Sequence, residues 1–165
     1  MTLRPEEETV GSRIPNPVTL VPELAEVAGA LRKAGANGAL PQTTIGLIHL
    51  RTGQLIGNTY AALRNAAALR EAGESPERIA AVATWWDAPY FTDAERAALE
   101  LAEAVLQPST WGERVSDELY TEVARHYDDK AIATLALVIG QAGFWGAFAL
   151  IGKPVPGVGP AEQWA

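Results

Sequence analysis

Leu47 to Glu74 reads LIHLRTGQLIGNTYAALRNAAALREAGE, and this stretch decides the fold. Apolar residues recur at helical spacing on both sides of Gly57. A helix is predicted over residues 42–72, interrupted near Gly57, with Gly73 as its C-terminal stop. Asn58, Ala61 and Asn65 stand at i, i+3 and i+7, so they share one helix face.

The same periodicity continues outward in both directions. Pro22 to Gly35 is amphipathic, with Leu24, Val27, Ala28 and Leu31 on one side. Pro22 stands where a first helical turn tolerates proline. Ser75-Pro76-Glu77 is a start signal for a helix reaching about Trp86. Thr92 to Glu95 reads as a capping box that opens a helix to about Leu106. Pro108 to Gly112 reads as a loop, and Ser116 as the cap of a short helix to His126. Asp128 or Asp129 opens the last long helix, which ends near Gly152. The expected fold class is therefore all-α.

The division that follows is an N-terminal extension over residues 1–20, a helical domain over 21–152 and a tail over 153–165. Both ends are rich in Pro and Gly, and neither is expected to hold regular structure. A chain of 165 residues is long enough for one sizeable core.

The frame Leu50, Arg51, Gln54, Gly57, Tyr60, then Ala72, Gly73 and Glu74 resembles a known signature. It is similar to that of the carboxymuconolactone decarboxylase and alkylhydroperoxidase D-like superfamily. The segments SPERIAAVATWWDAPYFTDAERAALELAEAV from Ser75 and VSDELYTEVARHYDDKAIATLALVIGQAGFWGAFAL from Val115 extend the likeness. The resemblance implies an alkylhydroperoxidase D-like helical bundle that forms homo-oligomers. In that family a glutamate, two cysteines and a histidine carry peroxidase chemistry. The corresponding positions here are Gly46, Asn58, Ala61 and Asn65, and the chain contains no cysteine.

That departure removes the family's best-known reaction. A thiol peroxidase needs one thiolate to attack the peroxide and a second thiol to resolve the sulfenic acid. Asparagine and alanine do neither. The absence of cysteine also excludes disulfides and thiolate metal sites. Two histidines without clustered carboxylates make a poor metal set, so neither metal nor cofactor is expected.

Other classes are bounded by charge and hydropathy. A net charge of −7 with no basic run argues against a nucleic-acid partner. The N-terminus lacks the apolar core of a signal peptide, so a cytoplasmic location is the expectation. Ala131 to Gly152 holds no charge over 22 residues and is long enough to span a bilayer. Its Gly and Ala content, Thr134 and Gln141 favour the centre of a helical core or an oligomer interface instead.

Candidate site residues follow from the exchanged positions and their surroundings. His49, Tyr60, Asn58 and Asn65 are the candidates for acid–base or hydrogen-bonding chemistry. Asn58 has an alternative role as a helix cap, and Asn65 as a partner for a neighbouring helix. Arg51 reads as a structural ion-pair donor and His126 as a partner for a helix C-terminus. Gly46, Ala61, Trp85, Trp86, Gly143 and Trp145 are the candidate substrate-binding wall. Small residues beside aromatic ones would leave an apolar cavity with few polar groups, the usual character of a small-molecule site. Three functions fit: a non-redox lyase, decarboxylase or isomerase, a non-catalytic binding protein, or an oligomeric pseudoenzyme of the same fold.

Overall fold

The computed structural model describes residues 11–108 and 112–164. Helices α1 (Pro17–Leu20), α2 (Leu24–Gly35), α3 (Gln42–Leu55), α4 (Thr59–Glu71) and α5 (Pro76–Ala81) come first. A 3-10 turn at Val82–Thr84 extends α5, and α6 (Asp93–Leu106), α7 (Asp117–His126), α8 (Asp129–Gly152) and α9 (Pro160–Gln163) follow. No strand occurs among the described residues. Residues 1–10, 109–111 and 165, which include half of the expected N-terminal extension and most of the Pro108–Gly112 loop, lie outside the described residues.

The helix starts are set by local chemistry. Ser75, Thr92, Ser116 and Asp128 each accept a backbone N–H from the first turn of the helix they precede. At Thr92 the capping box is complete, because Glu95 reaches back to the Thr92 amide. The break between α3 and α4 falls at Gly57, which adopts φ +69°, a left-handed conformation that glycine alone takes without strain. Asn58 then caps α4. α2 starts at Leu24, two residues later than the sequence suggests, with Pro22 in the preceding turn.

α3 is the central element and packs against α4, α6 and α8. It feeds two apolar clusters. Ile48 joins Ala98, Leu135, Val138 and Ile139 on the α6–α8 side. Leu47 and Leu50 join Leu69, Val82, Trp85 and Leu99 on the α4–α5 side. Burying each such side chain contributes roughly 1.5–3 kcal/mol. The α3–α4 contact is close enough to require glycine at position 53. A Cβ there would lie 2.9 Å from the Ala62 amide nitrogen.

α8 is 24 residues long, with a mean hydropathy of 1.7 over its most apolar stretch. By length and composition alone it could cross a membrane. In the fold one side of it meets α2, α3, α4, α6 and α7. The other side is exposed and uncharged through Ala133, Ala136, Gly140, Phe144, Ala147 and Ile151.

The described parts of the two ends, residues 11–20 and 153–164, are more ordered than their composition suggests. Lys153 takes φ 46° and turns the chain sharply after α8. The N-terminal segment crosses that same point. The Arg13 amide and the Ser12 hydroxyl both donate to the Gly152 carbonyl, at 2.6 and 3.1 Å. The tail closes on itself through the Val155 amide, which donates to Gln163 Oε1 at 2.5 Å.

Candidate functional site

The inner faces of α3, α4 and α8 do not fill the space between them and the two chain ends. A cavity of about 500 Å³ remains. α3 supplies His49 and Thr52, its C-cap supplies Ile56, and α4 supplies Tyr60, Ala61, Arg64 and Asn65. α8 supplies Gln141, Trp145, Gly146 and Phe148. Ala28 and Arg32 of α2 reach its edge. Ile14 and Val18 from one end of the chain, and Pro160 and Trp164 from the other, cover it.

The periodicity of α4 explains its share. Tyr60 and Arg64 are four residues apart, as are Ala61 and Asn65, so the two pairs form adjoining rows on one face. Arg64 Nη1 donates to the Tyr60 hydroxyl at 3.4 Å, a long contact at the protein's surface. Asn65 Nδ2 donates to the His49 carbonyl at 3.1 Å and ties α4 to α3. On α8, Phe144, Trp145 and Phe148 stack with ring centroids 4.8 to 5.7 Å apart, an edge-on and tilted arrangement typical of packed aromatics.

His49 is the unusual group. Its Nε2 is shielded from solvent and has no hydrogen-bond partner among the described residues. Burial pushes the imidazole below its ordinary value, against a smaller opposing effect of the Val138 backbone. The ring is therefore neutral at neutral pH. A second buried nitrogen at the same cavity, Trp164 Nε1, is also without a partner. Leaving a buried polar group unpaired costs about 1–3 kcal/mol, so two beside one cavity are conspicuous.

Not all the sequence candidates meet here. His49, Tyr60, Ala61, Asn65 and Trp145 line the cavity, whereas Gly46, Asn58, Trp85, Trp86 and Gly143 do not. Asn58 is engaged as the α4 cap, its Oδ1 accepting from the Ala61 amide at 2.8 Å. Gly46 does not widen the cavity, because Leu69 fills the space beside it. A Cβ at position 46 would lie 2.6 Å from Leu69 Cδ2. Gly143 faces Leu106 at 3.9 Å instead. At Gly146 the space is partly taken by Ile56, 2.7 Å from where a Cβ would stand.

The two tryptophans belong to a separate polar cluster on the far side of α3. Glu103 Oε1 accepts from Arg51 Nε at 2.7 Å and from Trp85 Nε1 at 2.8 Å. Arg51 Nη1 also donates to the Ala83 carbonyl at 3.1 Å, and the guanidinium lies 5.5 Å from the centre of the Trp86 ring. This is the structural ion pair expected of Arg51. Trp85 is 7% exposed in the core, while Trp86 is 56% exposed outside it. His126 meets Glu122 at 3.1 Å in the last turn of α7, away from the cavity.

Sequence reasoning did not single out Arg32, Arg64, Ile56 or the terminal residues. Arg64 was accessible from the spacing to Tyr60. Nothing periodic marks Trp164 or Ile14, since neither lies in a regular amphipathic element. No group of three or more His, Asp or Glu side chains able to hold a metal occurs among the described residues.

Residues 22–104 match the Carboxymuconolactone decarboxylase family. The chain belongs to that family. The uncharacterized protein YdfG of Bacillus subtilis is 32% identical over 127 residues, 76% of this chain and 84% of that relative. The uncharacterized protein YnjA of Escherichia coli is 43% identical over 67 residues, 40% of this chain and 35% of the relative.

Among solved structures, a protein of unknown function from Agrobacterium tumefaciens, provisionally described as the antioxidant defence protein AhpD, is similar. It aligns with a TM-score of 0.80 and 25% identity, over 90% of this chain and 99% of its own. The debrominase Bmp8 in complex with 2,3,4-tribromopyrrole aligns with a TM-score of 0.73 and 22% identity, over 83% of this chain and 72% of its own. The fold is thus the alkylhydroperoxidase D-like bundle, in a family member without cysteine.

Proposed function

We propose that this protein acts on a small, largely apolar molecule held between α3, α4 and α8, by a reaction that involves no thiol. The observation that carries this reading is the roughly 500 Å³ cavity with a buried imidazole at its wall whose Nε2 has no partner among the described residues. Its size lies in the usual range for ligand clefts. His49 and Tyr60 are the groups able to exchange a proton there, with Asn65 holding the His49 backbone in place. A lyase, decarboxylase or isomerase step by proton transfer suits that inventory. The second reading is binding without turnover, favoured by the absence of any carboxylate hydrogen-bonded to His49 among the described residues.

The test is a ligand screen by thermal shift and calorimetry on the full chain, followed by turnover assays on the hits. Binding that is lost when Ala61→Leu fills the cavity, with the helical circular dichroism retained, supports the reading. Unchanged binding in Ala61→Leu, or no hit at all, overturns it. Turnover abolished by His49→Leu distinguishes the enzyme from the binding protein.

Self-association belongs to the same proposal. The exposed face of α8 from Ala133 to Ile151 is apolar for its whole length, and its small residues permit close approach of a second copy. Sedimentation velocity at micromolar concentration should report a dimer or larger species. Phe144→Glu should shift it toward monomer, and a monomeric wild-type protein would exclude this part.

A further inference from the structure

The cavity is electrostatically unlike the chain that encloses it. The sequence carries 20 acidic and 13 basic residues. Yet no Asp or Glu lines the cavity among the described residues, while Arg32 and Arg64 both do. Neither guanidinium is in a salt bridge among the described residues. Arg32 and Arg64 are solvent-exposed, so they mark the mouth. Inside, the Trp164 indole N–H is buried and has no acceptor among the described residues. An indole nitrogen is a donor only, so the missing partner is an acceptor. The apolar part of the walls includes Ile14, Ile56, Trp145 and Phe148, beside the neutral polar groups of Thr52, Asn65 and Gln141.

Resting on the functional reading above, we propose that the ligand is a compact apolar monoanion, a carboxylate on an aromatic or alicyclic body. Its oxygens accept from the Trp164 indole and from the guanidiniums of Arg32 and Arg64. The ring lies against Trp145 and Phe148. A planar guanidinium matches a carboxylate geometrically, and two cations at the mouth with no lining carboxylate among the described residues favour an anion over an amine or a hydrocarbon. Trp164 lies outside the residues that match the family, so this part of the recognition belongs to the C-terminal segment of this chain.

Calorimetry with four probes of one size tests the proposal: benzoate, benzamide, benzylamine and toluene. Benzoate should bind at least about tenfold more tightly than the other three, the difference expected of charge-assisted hydrogen bonds. Arg64→Gln should weaken benzoate about tenfold and leave toluene unchanged. Trp164→Phe keeps the ring and removes the N–H, and should weaken benzoate several-fold, again without effect on toluene. Thermal melts of both variants verify that the fold is intact. If benzamide or toluene binds as tightly as benzoate, the anion assignment fails while the cavity reading stands. If Trp164→Phe weakens all probes equally, or not at all, the indole is not the acceptor's partner and the assignment fails. If none of the four binds, the anion assignment fails, and the cavity reading is decided separately by whether Ala61→Leu abolishes binding of a hit from the ligand screen.

Discussion

Arg51 and His49 lie two residues apart on α3, yet their polar atoms are treated in opposite ways. Arg51 faces α6 and the end of α5, where Glu103, Gln54 and the Ala83 carbonyl accept from it. His49 faces the α4–α8 side, where its buried Nε2 has no partner among the described residues. Both environments are shielded, so the cost of desolvation is present in each. Arg51 is compensated from within the chain, whereas His49 Nε2 is not among the described residues. A polar group whose partners are all internal holds helices together. A polar group left open beside a cavity is stabilised only by something that enters. By this criterion the frame residue Arg51 is architectural. The proposed site lies on the other face of α3, where two of the four exchanged motif positions, Ala61 and Asn65, line the cavity.

The largest effect is expected on the satisfied side. Glu103→Ala would leave the Arg51 guanidinium and the Trp85 indole without their common acceptor. The side chains of Arg51 and Glu103 are only 10% and 20% exposed, so bulk water does not replace the lost bonds. Breaking such a shielded pair should destabilise the fold by about 3 kcal/mol. Urea denaturation of the variant measures this directly. Ligand affinity of the surviving folded protein should be unchanged, because nothing in this cluster lines the cavity. A stability loss near zero, or a large loss of affinity, would blur the distinction between the two sides of α3.

What the sequence conveys about each side follows from how local the controlling physics is. Caps at Ser75, Thr92, Ser116 and Asp128 involve residues three apart, so the helix starts were legible without tertiary information. The face shared by Ala61 and Asn65 is also a local property, and both residues reach the cavity. The direction of Trp85 is not local. It depends on Glu103, eighteen residues away, whose carboxylate draws the indole into the core. Gly46 was equally illegible, because whether a missing side chain leaves a void depends on what neighbours do, and Leu69 moves in. The lid is the hardest case. Ile14 and Trp164 lie in Pro- and Gly-rich ends that carry no periodic signal, and only the turn at Lys153 and the Gly152 carbonyl bring them over the cavity.

A smaller effect is expected on the open side, and it is a dependence on pH. In the unfolded chain His49 titrates near 6.5. In the folded protein burial holds it lower, so between the two values the unfolded state binds more protons. Stability therefore rises with pH across that window. The contribution of His49 is fully present above about 6.5 and is lost as pH falls toward its folded value. Carboxylates add their own pH dependence, which the variant shares, so the informative quantity is the difference between two curves. His49→Leu should match or exceed the wild-type stability at pH 7.5, by up to about 1 kcal/mol, because an unpaired nitrogen is removed. Below pH 6.5 its advantage should grow, since the variant has no imidazole to charge. Thermal midpoints of both proteins from pH 7.5 to 5 provide the check. If the difference shrinks or reverses as the pH falls, the protonated ring finds an acceptor in the folded state, and His49 is as internally satisfied as Arg51.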